Sequence, residues 1–421
     1  MAFTTRWANG VESNAEGISG NPPVALSPNG YNIAGYQNIV PGALGPMLVG
    51  TLPRRQKWGS VQQFSLGTQH EFPGNNVVSV SYVGNLGRDL ARGRDINEIP
   101  IGVRTLNAPE LAGLEGCDAA GNCDVQDVLI NNRAPNIHFL PYRGYTAALM
   151  KENTAISHYD SLQVNFRHVF GQGLTFQASY TRSHAIDDAS SSFSFSWVDD
   201  SNLSRWRATS NFNRAQMLVL NYVYELPFFK RSGNAVARSL LGGWKVSGIA
   251  SFLSGAPVDF GCGISGLSTG IGGYVKCNSL GKLAIKKGVV NDPEFGPMPT
   301  WFDPNTVGQV TLDQLRADGQ PGMFGCMGRN PLTGPGRNNW DMALLKDFEL
   351  PWFGPERSRL QFRWETFNTF NHPQWLWINA GCSDLTPPGA PCGDPENNLR
   401  NGQVNAAWPA RIMQFGLKFL F

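Results

Sequence analysis

No uncharged apolar run in these 421 residues approaches the roughly 18 that a membrane-spanning helix requires, so helical spans are excluded. Charge is scarce: Asp, Glu, Lys and Arg make up 16% of the chain, where soluble domains carry roughly 25%. The net charge is +2 and no more than two basic residues stand side by side, which argues against a nucleic-acid partner. Residues 1–10 hold no basic region followed by an apolar core, so a signal peptide is missing. No Cys-x-x-Cys occurs and no His stands at ligand spacing from a cysteine, which leaves a zinc site poorly supported. What is plentiful is glycine, 48, and proline, 28, the residues that punctuate turns. The length suits two or three soluble domains or one large membrane barrel. A mean hydropathy of −0.24 fits either, because a barrel dilutes its apolar residues with polar lumen and loops.

Residues 411–421 organise the rest. Met413, Phe415, Leu417, Phe419 and Phe421 fall on one face of an extended strand; Ile412, Gln414, Gly416, Lys418 and Leu420 fall on the other. Tilted by about 40–45°, such a strand rises roughly 25 Å, the height of the apolar band on an outer-membrane barrel. A strand closing a soluble domain would alternate in the same way, but the chain ends on the aromatic itself. That ending resembles the terminal signature of bacterial outer-membrane barrels. It implies an assembly signal formed by Phe415, Leu417, Phe419 and Phe421 and read by the barrel-insertion machinery.

Similar alternation places strands near 60–70, 77–84, 157–169, 173–184, 213–226, 242–254, 337–349 and 358–370. Two hairpins carry an echo at the same point, Glu225-Leu-Pro-Phe-Phe229 and Glu349-Leu-Pro-Trp-Phe353, where proline ends a strand. The spacing of turns decides the class. Connections at 71–76, 170–173, 227–241 and 351–357 are short; those at 85–156, 185–212, 256–336 and 371–409 are long, and the two kinds alternate. Short periplasmic turns against long outer loops is the transmembrane barrel pattern. The expected fold is all-β: an antiparallel meander of a transmembrane outer-membrane β-barrel, partial at about nine or ten strands and therefore open. Its long loops are extracellular and its C-terminus periplasmic.

All seven cysteines fall in the long loops. Cys117 with Cys123, Cys382 with Cys392, and Cys262 with Cys277 are candidate disulfides, which suit an oxidising compartment, and Cys326 is left over. Free thiols are the bland alternative. Arg359, Arg363 and Glu365 point away from the apolar face and are candidate lumen residues. Asp187 with Asp188 and Asp199 with Asp200 offer an acid–base pair or calcium ligands, but such pairs are more often a solvated loop. The spacing of Gly261-Cys-Gly-Ile-Ser-Gly266 suits a dinucleotide and that of Gly266-Leu-Ser-Thr-Gly270, with His372 downstream, a hydrolase elbow. Both need a following helix that this glycine-rich stretch does not favour. No catalytic, cofactor or metal residue is assigned, and no enzymatic activity is expected.

Several phrases together carry a family resemblance: His158-Tyr-Asp-Ser-Leu-Gln-Val164, Gly173-Leu-Thr-Phe-Gln-Ala-Ser-Tyr-Thr181, Ala185-Ile-Asp-Asp188, Leu241-Gly-Gly-Trp-Lys-Val-Ser-Gly248, Ser254-Gly-Ala-Pro257 and Phe367-Asn-Thr-Phe-Asn-His372. In order and spacing they resemble the C-terminal barrel of TonB-dependent receptors of the Oar-like branch. The resemblance implies residues 58–421 as the C-terminal part of such a barrel, with 1–57 poorly structured or an upstream barrel or loop segment. It implies the outer membrane of a Gram-negative bacterium and uptake of a scarce, bulky ligand. The implied partners are outer-membrane lipid, the insertion machinery and, in a full-length parent, TonB and a plug domain. Full-length members also carry a signal peptide and a barrel of 22 strands, so this chain reads as a fragment that does not transport alone. A smaller self-contained outer-membrane pore and a secreted β-rich sugar-binding module or hydrolase stay open beside it.

Overall fold

The computed structural model describes residues 47–420 apart from 98, 100–104, 131–132, 135–137, 143–144, 171–172, 191–202, 231, 264–273, 312–324, 351–357, 383–385, 388 and 394–399. Before residue 47 it describes only the strands Thr5–Arg6, Glu12–Ser13, Val24–Ser27 and Gly30–Ile33. Phe421, Asp199, Asp200 and the 351–357 turn lie outside the described residues, as does most of the two glycine-rich motifs.

Nine strands form one meander: β1 (Ser60–Phe72), β2 (Asn76–Asp95), β3 (Tyr145–Phe170), β4 (Leu174–Asp187), β5 (Gln216–Glu225), β6 (Trp244–Leu253), β7 (Arg337–Glu349), β8 (Arg359–Phe367) and β9 (Ile412–Leu420). Each pairs antiparallel with its neighbours in sequence, and β1 and β9 are left as edges, so the sheet is not closed among the described residues. Met47–Thr51 pairs parallel with the start of β3, and Ala208–Thr209 pairs with the end of β4.

The registers align most of the strands' large apolar residues on one side. One row across the sheet reads Val78, Phe166, Ala178, Leu220, Ala250, Trp340. Another reads Leu174, Tyr224, Val246, Leu344, Trp364, Phe415. The opposite side is mostly polar: Ser79, Asn165, Ser179, Ser251 and Asn339 form one row there, with Val219 among them. A slip of one residue in any strand would exchange its faces, so this agreement over nine strands fixes the register. Aromatics cover the gaps that glycines leave. Phe64 lies over its cross-strand partner Gly84 so closely that a Cβ there would sit 2.3 Å from the ring. Many large residues of the apolar side are uncovered: Leu66 is 79% exposed, and Phe415 and Leu417 70% each.

The buried apolar clusters of the described residues lie instead in the long connections. One gathers Trp206, Phe260, Trp301, Phe302, Val307, Val310 and the cysteines 262, 277, 382 and 392. The other holds Ala108, Cys123, Val125, Val128, Leu129 and Phe139. We refer to the first as the cap.

Three expectations need correction. The stretch 85–156 is not all loop: β2 continues to Asp95 and β3 begins at Tyr145, with register shifts at Asn153/Ala155 and Ala155/Ser157. The β2 extension carries polar residues on both sides, and β3 opens with apolar residues on both, so neither shows an alternation to read. Second, the 227–241 turn holds a helix, Ala235–Leu241, whose cap Asn234 accepts hydrogen bonds from the backbone N–H groups of Val236 and Ala237. Third, the long connections fold into small sheets of their own, so Cys123, Cys262 and Cys382 stand in short strands.

Candidate functional site

The polar side of the sheet neutralises itself. Arg359, Arg363 and Glu365 share it with Gln414 and Lys418, as the β8–β9 register dictates. Arg363 pairs with Glu365, which also accepts a hydrogen bond from Gln414. Across the sheet Asn165 accepts from Gln177 at 3.2 Å and Ser179 at 2.7 Å. On the other side Phe415 lies between Phe362 and Trp364, 6.4 and 6.1 Å between ring centres. Leu417 and Phe419 continue that row. The three charged residues line a wall; they do not converge on a site.

Convergence occurs at the end of the sheet where the long connections leave. Asp187 and Asp188 are buried there, neither solvated nor gathered as cation ligands. Asp187 takes the guanidinium of Arg329, which also donates to the Asp187 carbonyl at 2.7 Å, while Ser190 donates to the carboxylate at 2.9 Å. Asp188 faces Arg92 of β2 at 3.6 Å and accepts from the Ile156 N–H at 2.8 Å. Burial holds the Asp188 carboxyl above the usual range, against the pull of the Ile156 N–H and Arg92. Each aspartate thus fastens a separate segment to the end of β4: one the cap, the other β2.

Sulfur closes the cap. Cys262 is bonded to Cys277 and Cys382 to Cys392, with Cα separations of 5.1 and 5.0 Å. Cys117 is bonded to Cys123 at 3.9 Å outside the cap, and Cys326 is free and exposed. The four cap sulfurs lie within 4.8 Å of one another because Gly261–Gly263 and Gly381–Cys382 pair in parallel and bring two loops together. As disulfides they offer no thiolate to a metal. The pairing depends on Gly381, at φ 132°, where a Cβ would collide with the Gly261 carbonyl.

Between cap and sheet end opens a cleft of about 350 Å³, lined among others by Arg214, Arg337, Trp375, Trp377 and Trp408. Trp375 packs edge-on against Trp301 of the cap, 5.9 Å between centres, so one wall is anchored in the cap core. The guanidinium of Arg337, on the polar side of β7, lies 4.4 Å over Trp408, and its Nε donates to Gln374 Oε1 at 3.3 Å. Arg214 donates to the Asn213 carbonyl at 2.9 Å. Asp259, the carboxylate of the lining, binds Lys276 at 2.6 Å and accepts from the Asn330 N–H at 3.1 Å. Burial presses the Lys276 ammonium below its usual range, and Asp259 opposes that shift. The lining sets cationic and aromatic side chains, Arg214, Arg337 and three tryptophans, around one space. The sequence reading missed these residues because they come from 214, 337, 375–377 and 408. The signal available was Trp375-Leu-Trp377 in a loop otherwise rich in small and polar residues.

A family model described as an outer membrane beta barrel domain matches residues 3–414. The chain belongs to the outer-membrane β-barrel domain family. No curated protein matches its sequence. Among solved structures, the outer membrane transporter YddB from Escherichia coli aligns over 87% of this barrel domain, at 7% identity and a TM-score of 0.36. The aligned part is 34% of that transporter, so this barrel domain spans about a third of its length.

Proposed function

We propose that this barrel domain is the C-terminal wall of an outer-membrane TonB-dependent receptor of the Oar-like branch, which takes up a scarce, bulky ligand. The observation that carries the reading is one predominantly apolar face over nine strands, opposed by a more polar face and crowned at one end by disulfide-bonded loops. Lipid offers no hydrogen-bond partner, so the Phe415 face meets lipid and the Gln414 face a wet lumen. The disulfides then belong to the extracellular end. The short turns and the C-terminus belong to the periplasm, where the insertion machinery meets the last strand. TonB and a plug domain are the partners that energise uptake in the parent receptor, and the ligand passes chemically unchanged.

Cys326 supplies the test, as a free and exposed thiol beside the cap. On intact cells bearing the parent receptor, a membrane-impermeant maleimide is expected to label it, and photocrosslinking from the periplasmic side is expected to capture TonB. Labelling only after lysis would reverse the orientation. A correctly inserted receptor that never crosslinks to TonB would reduce the protein to a plain barrel.

A further inference from the structure

We infer that the cleft between cap and sheet end binds an acidic saccharide, with the sugar ring against tryptophan and its carboxylate on Arg214 and Arg337. The inference rests on the transport reading for a ligand arriving from outside, but the binding itself is read on the isolated chain.

Three observations point to an anion. Arg337 is fixed by Trp408 below its plane and Gln374 at its Nε, which leaves both terminal nitrogens of its fork without a partner among the described residues. Arg214 uses one nitrogen on a backbone carbonyl and meets no carboxylate among the described residues. Asp259, which would otherwise neutralise them, is already held by Lys276 and the Asn330 N–H. A guanidinium held flat and left with a free edge matches the two oxygens of a carboxylate, and little side-chain freedom remains to be lost on binding.

The neighbouring cleft, about 400 Å³ beside Lys286 and Arg400, makes the contrast. There Arg400 is engaged by Asp292 and Glu294, and Lys286 by Asp303 at 2.8 Å. Two of its three cations are spent on carboxylates and the third, Lys287, lies 4.8 Å over Trp301, whereas among the described residues neither arginine of the first cleft meets a carboxylate.

The walls point to a ring. Trp377 is 64% and Trp408 41% exposed, although the cap core a few residues away buries its aromatics. The exposed indole of Trp377, and the part of Trp408 that Arg337 leaves open, suit the C–H face of a pyranose, whose hydroxyls remain at the open side. A volume of about 350 Å³ lies at the lower end of small-molecule sites, roughly 300–1,000 Å³, and holds one or two sugar units of a longer chain.

Isothermal titration of the full chain in detergent, with trigalacturonate and with its neutral counterpart galactotriose, tests the idea. Trigalacturonate is expected to bind at least about tenfold more tightly than galactotriose, and to weaken in 0.5 M salt, since a charge-assisted pair strengthens binding and salt screens it. Arg337→Gln should remove the preference for the charged sugar, and Trp377→Ala should weaken both. Heat-modifiability and intact disulfides certify each variant as folded. Absence of binding in folded protein, or equal affinity for the two sugars, overturns the proposal, as does a binding constant that neither substitution moves. Trigalacturonate binding without TonB crosslinking would leave the cleft standing and the receptor reading fallen. The reverse pair of results would do the opposite.

Discussion

In the sheet the large apolar side chains are outside; in the cap they are inside. Leu417 on β9 is 70% exposed, whereas Phe260 and Val310 in the cap are fully buried. One chain therefore answers to two solvents. Among the described residues the sheet has no partner layer over its apolar side, which suits lipid, while the cap excludes water like a small secreted domain and is stapled as such domains are. The boundary between them is ionic: Asp187 and Asp188 at the end of β4 hold Arg329 and Arg92 where the chain leaves one solvent for the other.

The boundary is where the contrast breaks most severely. Asp187→Ala would strand the Arg329 guanidinium in a buried position, at a cost of about 3–5 kcal/mol. The cap should then become sensitive to protease at 254–336 while the sheet keeps its heat-modifiable migration. Joint replacement, Asp187→Leu with Arg329→Met, should recover most of that loss. If the sheet unfolds together with the cap, the two regions are one cooperative unit and the comparison fails.

Within the sheet, Leu417→Lys places a charge on the lipid side at about 2–4 kcal/mol near mid-membrane, and the yield of heat-modifiable barrel should drop. Gln414→Lys, on the polar side of the same strand, should be tolerated. Equal yields would mean that the faces are assigned the wrong way round.

The smallest effect belongs to the loop that Cys117 and Cys123 close. Asp118 is held below the usual carboxylate range by the Asn122 side chain at 2.8 Å, aided by the Asn122 and Ala120 N–H groups. Because the folded pKa is depressed, this contribution is present above the unfolded value and fades as pH falls through the folded one. Amide exchange at Ala120 and Asn122 should accelerate only below the ordinary aspartate range, with the cap unaffected. Acceleration already at neutral pH would show that the disulfide alone shapes the turn.

How much of this the sequence announced follows from the same division. Membrane strands have a period of two and one permitted face, so all nine were legible, including β9 from its alternation alone. The outer halves of β2 and β3 were not, because polar and apolar residues alike, Arg92 and Asp95 with Ala148 and Met150, are buried there and no period of two marks a face. The cap was silent for another reason: its core draws residues from Trp206 to Cys392, and no local pattern encodes a contact of that span. Asp187 and Asp188 looked like a wet loop because their arginines stand at 329 and 92. The cleft was hidden likewise, since Arg214 and Arg337 meet its tryptophans only after three hairpins are in place.

The parallel bridge of Cys262 beside Cys382 sets a timetable. Each strand of the meander waits only for its neighbour, so the sheet can grow hairpin by hairpin. The cap must wait until nearly the whole chain has been delivered, because half of its sulfur arrives in the last long connection. A barrel halted one hairpin early would be almost complete as a wall, yet its cap would hold Cys262 and Cys277 without the sulfur pair and the Trp375 wall that complete it. Quality is thus registered at the end of assembly, in the cap, by whether the final loop has come home.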